Sequence, residues 1–151
     1  MTDARFEDAA GTPLNLGAMD ADDLLILSSL AQDAVFRTAD MSWAPARARF
    51  SVLLGRFRWE DGQRKERVRT LLCFDGVQSV ASAGLDRDDK DAALSLLAID
   101  FDPDDAPAGD VVLTLSGGGA IRLRVEALEA TLKDVTKPYA APSRRTPTHL
   151  D

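Results

Sequence analysis

Apolar residues recur along this chain with two periods. Between Asp20 and Gln32 the spacing is helical: Leu24, Leu27 and Ala31 fall on one face, and Ile26 and Leu30 widen it. Asp20 is a good N-cap, and Asp22 and Asp23 place negative charge in the first turn, where the helix dipole favours it. From Ala34 onward period two takes over. It predicts a strand at Ala34–Trp43, ended by Ala44-Pro45-Ala46, and another at Arg47–Trp59. In the second strand Phe50, Val52 and Leu54 have even numbers, whereas Phe57 and Trp59 have odd ones. An extra residue at Gly55 reconciles the two phases, so a β-bulge is expected there, with Arg56 and Arg58 turned to solvent.

The alternation resumes at Arg67–Phe74, with Val68, Leu72 and Phe74 on one face, and slips at Asp75-Gly76 before Val77 and Val80, where a second bulge is expected. Ala92–Phe101 is apolar in both phases: Ala93, Leu97, Ile99 and Phe101 in one, Leu94, Leu96 and Ala98 in the other. A strand of that kind needs cover on both faces, which places it mid-sheet. Asp102–Gly109 reads as a surface loop. Val111, Leu113 and Leu115, a turn at Ser116–Gly119, and Ile121, Leu123 and Val125 make the clearest hairpin. Leu128, Leu132 and Val135 suit either a strand or a short helix.

Two stretches share a pattern. In residues 69–84 and 121–134 an alternating strand is followed by a jump of three: Leu72, Phe74, Val77 and Leu123, Val125, Leu128. This suggests an internal pseudo-repeat. The expected architecture is α+β: an antiparallel sheet of six to seven strands, or a half-barrel, with one N-terminal helix packed on it. Residues 1–17 are expected as a flexible leader with a short extended piece at Leu14–Leu16, 18–135 as a single domain, and 136–151 as a flexible tail.

The 151 residues are 45% hydrophobic, enough for one core, and carry a net charge of −7. That balance argues against a general binder of DNA or of an anionic membrane. The single cysteine, Cys73, excludes an intramolecular disulfide, and no Cys/His cluster suggests zinc. The acidic start does not read as a signal peptide, and no apolar run is long enough to span a membrane. A cytoplasmic location is expected.

The charge is unevenly spread. From Arg47 to Arg69 there are eight Lys or Arg residues against three acidic ones. If the two strands in this stretch pair, Arg56 and Arg58 meet Arg67 and Arg69 on one outward face. Like charges opposite one another repel, so an anion seated among them would explain the cluster. The guanidinium fork suits phosphate or carboxylate, and Trp59 is a candidate stacking surface beside it. The competing reading is a solvated face balanced by neighbouring acids.

Other motifs carry less. Ser116-Gly117-Gly118-Gly119 is followed by a strand rather than the helix a phosphate loop requires, so a hairpin turn is expected. Asp86–Asp91 has calcium-loop spacing without the central Gly or final Glu. His149, the sole histidine, lies in the tail, and Cys73 sits among Leu71, Leu72 and Phe74, where a buried inert thiol is expected. No catalytic residue, metal site or cofactor is assigned.

The segments MDADDLLILSSLAQDAV (19–35), RFSVLLGRFRWE (49–60), LSLLAIDFDPDDAPAG (94–109) and SGGGAIRLRVEALEA (116–130) resemble a bacterial family, small alphaproteobacterial proteins filed as domain of unknown function 2948. The resemblance implies no activity and no catalytic residues. It implies only a genomic neighbourhood with a cell-wall precursor transferase and histidinol dehydrogenase. The functional expectation is therefore a non-catalytic accessory or protein-interaction domain with an unidentified protein partner. A binder of a phosphorylated ligand or RNA through the arginines, and an enzyme without a recognisable motif, are the alternatives. A small anionic ligand and a second copy of the chain stay open as partners.

Overall fold

The computed structural model describes residues 13–57, 66–136 and 139–140. Eleven strands and one α-helix follow in the order β1 (Asn15–Ala18), α1 (Ala21–Ala31), β2 (Val35–Arg37), β3 (Met41–Ala44), β4 (Arg49–Phe57), β5 (Glu66–Asp75), β6 (Val77–Ala83), β7 (Ala93–Pro103), β8 (Gly109–Leu115), β9 (Ala120–Val125), β10 (Ala130–Asp134) and β11 (Tyr139–Ala140). The class is α+β with an antiparallel sheet, as the pattern predicts, but among the described residues the sheet has eleven strands rather than six or seven. It is open: its main path runs β1-β10-β5-β4-β2-β7-β8-β9-β6, with β3 added beside β4 and β11 beside β5.

The helix forms where expected. Asp20 Oδ1 accepts the Asp23 N–H at 2.8 Å, and Leu24, Leu27 and Ala31 are buried. Leu30 packs at the margin of the core, but Ile26 is 54% exposed, so the buried face is narrower than its spacing suggests. The single strand expected over Ala34–Trp43 is broken in two. Asp40 Oδ2 accepts the Arg37 N–H at 2.9 Å and folds Thr38–Asp40 into one 3-10 turn between β2 and β3.

The phase slip at Asp75-Gly76 marks a change of neighbour, and the register shift expected with it falls just beyond, between Val77 and Ser79. β5 runs on into β6, and β9 runs on into β10; β5 pairs with β10 while β6 pairs with β9. The two runs are therefore antiparallel partners on both sides of the bend. Gly76, at φ +72°, makes the bend on one side, and the Asp75 N–H and Gly76 C=O bind Glu129 and Glu126 across it, each at 3.0 Å. Residues 69–84 and 121–134, which share a sequence pattern, are thus each other's neighbours. The order is β4-β5-β10 on one side and β8-β9-β6 on the other, so the runs β4-β5-β6 and β8-β9-β10 exchange their last strands.

β7 lies inside the sheet between β2 and β8, where its apolar run predicts it. The reason for that run is different from the one expected. The register shifts between Leu96 and Ala98, so Leu96 at 1% and Ile99 at 3% exposure both face the core on either side of a bulge. Leu97 and Ala98 are half-buried and Ala93 is exposed, so the strand is not fully covered on its second face. Beyond Leu96 the helix serves this strand, and Ser28 Oγ accepts the Ile99 N–H at 2.9 Å. Within residues 126–135, Ala130–Asp134 form strand β10 rather than a helix, with Leu132 buried in it, Leu128 buried in the bend before it and Val135 49% exposed after it. The stretches expected as leader and tail also contribute strands: Asn15–Ala18 pairs with β10, and Tyr139–Ala140 pairs with β5.

Candidate functional site

β4 and β5 pair without a break from Arg49↔Asp75 to Phe57↔Arg67. The bulge expected at Gly55 does not form. An unbroken alternation carries Phe50, Val52, Leu54 and then residue 56 to the core, so Arg56 points inward and is 0% exposed. Arg56 is therefore not part of an outward cluster. Its Nη2 donates to both oxygens of Asp134 at 3.0 Å, and its Nε donates to Thr70 Oγ1 at 3.1 Å. Thr70 passes a hydrogen bond on to Asp134 Oδ1 at 2.8 Å, and Asp134 Oδ2 accepts the Leu14 N–H at 2.8 Å. Buried charge is tolerable only when paired and hydrogen-bonded in this way. The triad ties β4, β5 and β10 together and, through Leu14, holds the residue that leads into β1.

Among the described residues the cross-strand arginine confrontation is also absent. Arg56 stands opposite Val68, Gly55 opposite Arg69, and Phe57 opposite Arg67. Arg58 and Trp59 lie outside the described residues. Arg67 and Arg69 do share the outer face, and a third arginine joins them that the sequence pattern did not single out. Val35 of β2 pairs with Gly55, and this brings Arg37 to the same face. Arg37, Arg67 and Arg69 line a surface hollow of about 360 Å³ together with Asp40, Val35 and Gly55.

The floor of the hollow exists because residue 55 has no side chain. A Cβ there would come within 3.6 Å of Val35 Cγ2. The three guanidinium groups are held differently. Arg67 is anchored: its Nη1 donates to the Gly55 carbonyl at 3.0 Å, and its guanidinium carbon sits 6.0 Å from the Phe57 ring centroid. Arg37 forms two long ion pairs, 3.6 Å to Asp40 and 3.6 Å to Asp91, with its side chain 53% exposed. Arg69 is exposed, and its backbone N–H donates to Thr136 Oγ1 at 3.0 Å. One fixed fork, one loosely paired fork and one exposed fork converge on an apolar floor.

The remaining motifs resolve as structure. Ser116–Gly119 closes the β8–β9 hairpin, with Gly117 and Gly118 at φ +77° and +85°. In the Asp86–Asp91 loop, Asp86 and Asp89 accept backbone N–H groups two residues on, at 3.1 and 3.2 Å. No group of His, Cys, Asp or Glu among the described residues is placed to hold a metal ion. Cys73 is buried, and burial, reinforced by the Asp75 carboxylate, pushes its thiol pKa up. No helix among the described residues is long and apolar enough to cross a membrane.

These observations define an open antiparallel α+β domain with an arginine-lined hollow on its outer face. The chain belongs to the family described as Protein of unknown function (DUF2948), which matches residues 14–149. No curated protein and no solved structure matches it.

Proposed function

We propose that this chain is a cytoplasmic, non-catalytic accessory protein that works by binding, and that the group it recognises at the hollow is a phosphate ester of a small molecule. The observation that carries this reading is the convergence of Arg37, Arg67 and Arg69 over the floor left open by Gly55. Planar guanidinium donors match phosphate oxygens two at a time, and the Arg67 fork is already oriented by the Gly55 carbonyl. Among the described residues the one carboxylate lining the hollow, Asp40, accepts the Arg37 N–H and pairs with its guanidinium. That set suits holding an anion better than moving a proton. The flanking Val35, 42% exposed, offers apolar contact to the ligand's body.

Small phosphate esters fit better than RNA. Three cations in one hollow cannot track a strand of phosphates, and the chain as a whole carries −7. The test is calorimetric titration of the full chain with inorganic phosphate, glycerol 3-phosphate and a single-stranded RNA. The expected result is saturable, salt-weakened binding of the small phosphates that Arg37→Ala with Arg69→Ala abolishes. Tighter binding of the RNA would transfer the assignment to nucleic acid. No binding of any of the three would remove the reading and leave a protein partner, to be sought by pull-down from native lysate.

A further inference from the structure

We infer that the chain has a second ligand site, separate from the arginine hollow, that takes a small carboxylic acid with an aromatic or branched apolar body. It lies between β3 and β6, each of which pairs on one side only among the described residues. The cavity there measures about 210 Å³. Met41, Trp43, Phe50, Val80 and Ile121 form its apolar walls.

Two features show that the cavity is not simply a gap in packing. The first is Thr38, which lines it and is only 8% exposed. Its hydroxyl has no hydrogen-bond partner among the described residues, although buried hydroxyls are normally satisfied. The second is the pair Arg87 and Lys90, which also line the cavity. Neither side chain has an ion-pair partner among the described residues. Asp86 and Asp89 accept loop N–H groups, Asp91 pairs with Arg37, and no Asp or Glu is among the described residues that line the cavity.

The chemistry of the walls dictates the ligand. An apolar body packs beside the Trp43 indole, a hydroxyl waits at depth, and two cations stand ready for one negative head group. A neutral ligand would leave the cations without a partner, and an amine would be repelled by them. The volume suits a single ring rather than a long acyl chain.

The test uses the full chain with Trp59→Phe, which leaves Trp43 as the only tryptophan. Phenylacetate, phenylacetamide and phenethylamine are titrated while Trp43 fluorescence and amide NMR shifts at Thr38 and Val80 are followed. Phenylacetate should saturate, and the amide should bind about tenfold more weakly, the value of one charge-assisted contact. Arg87→Gln with Lys90→Gln should erase the preference for the acid. These residues lie on an exposed loop, so the variant keeps its fold, to be checked by its melting temperature. Thr38→Val should weaken all binding, and Arg69→Ala should leave it unchanged. The inference fails if no compound produces saturable shifts, if acid and amide bind equally, or if the loop variant keeps the preference. The outcome is independent of phosphate binding at the arginine hollow.

Discussion

The Arg56 guanidinium lies 3.0 Å from both carboxylate oxygens of Asp134, and the two side chains are 0% and 2% exposed. The two residues are 78 apart in sequence, and the pair links β4 to β10 across β5, which lies between them. Removing one partner leaves a buried charge without its counter-ion. Asp134→Ala should therefore cost about 3–5 kcal/mol in urea denaturation. Replacing the whole set, with Arg56→Met, Thr70→Val and Asp134→Leu, should recover most of that loss. A single variant as stable as the wild type would show that the pair contributes nothing.

Gly55 gives a cleaner separation of stability from binding. It lies in a regular strand, and an added Cβ meets Val35 only at ordinary contact distance. Gly55→Ala should be neutral or stabilising by about 0.5–1 kcal/mol, because the unfolded chain loses freedom. Gly55→Leu should fill the hollow and abolish phosphate binding while the protein still melts cooperatively. Retained binding in the leucine variant would move the site elsewhere.

Ser28 joins the helix to the bulged strand through one hydrogen bond, its Oγ accepting the Ile99 N–H. Ser28→Ala should cost about 1 kcal/mol. In native-state hydrogen exchange the Ile99 amide should lose protection more than its neighbours do. Uniform loss across β7 would mean that the helix acts by packing alone.

Asp104 is held by Arg124, whose Nη2 donates to its Oδ1 at 3.0 Å, and this hydrogen bond lowers the carboxyl pKa below its ordinary value. A depressed folded-state pKa contributes stability that is present above the unfolded value and lost as pH falls through the folded one. Arg124→Ala should return the Asp104 titration, followed by carboxyl carbon NMR, toward the usual carboxylate range. The group is exposed, so the effect on melting should be small and further weakened by salt.

Cys73 stands on the outer face between Ser51 and Thr131 and is 7% exposed. Its thiol pKa is raised chiefly by burial. Iodoacetamide should therefore react slowly with the native protein at mildly alkaline pH and rapidly once urea unfolds it. Equal rates in the two states would show that the thiol is accessible.

The sequence by itself determined what depends on near neighbours along the chain. The helix from Ala21 to Ala31 follows from its Asp20 cap and three core residues at helical spacing, and the β8–β9 hairpin from alternation around a glycine turn. The phase slip at Asp75-Gly76 was legible, and it comprises a bend between strand partners followed by a register shift between Val77 and Ser79; the bulge between Leu96 and Ala98 was not, because a run apolar in both phases hides it. Only the tertiary structure decided which inward position receives a charge. Arg56 reads as a solvent residue until β10 delivers Asp134 and β5 delivers Thr70 beside it. The hollow was half visible, as Arg67 and Arg69, while Arg37 reached it only through the pairing of Val35 with Gly55. Local pattern fixes hydrophobic faces because burial acts on each side chain alone. A charge in the core is allowed only by a counter-charge, and strand pairing between distant segments is what supplies one.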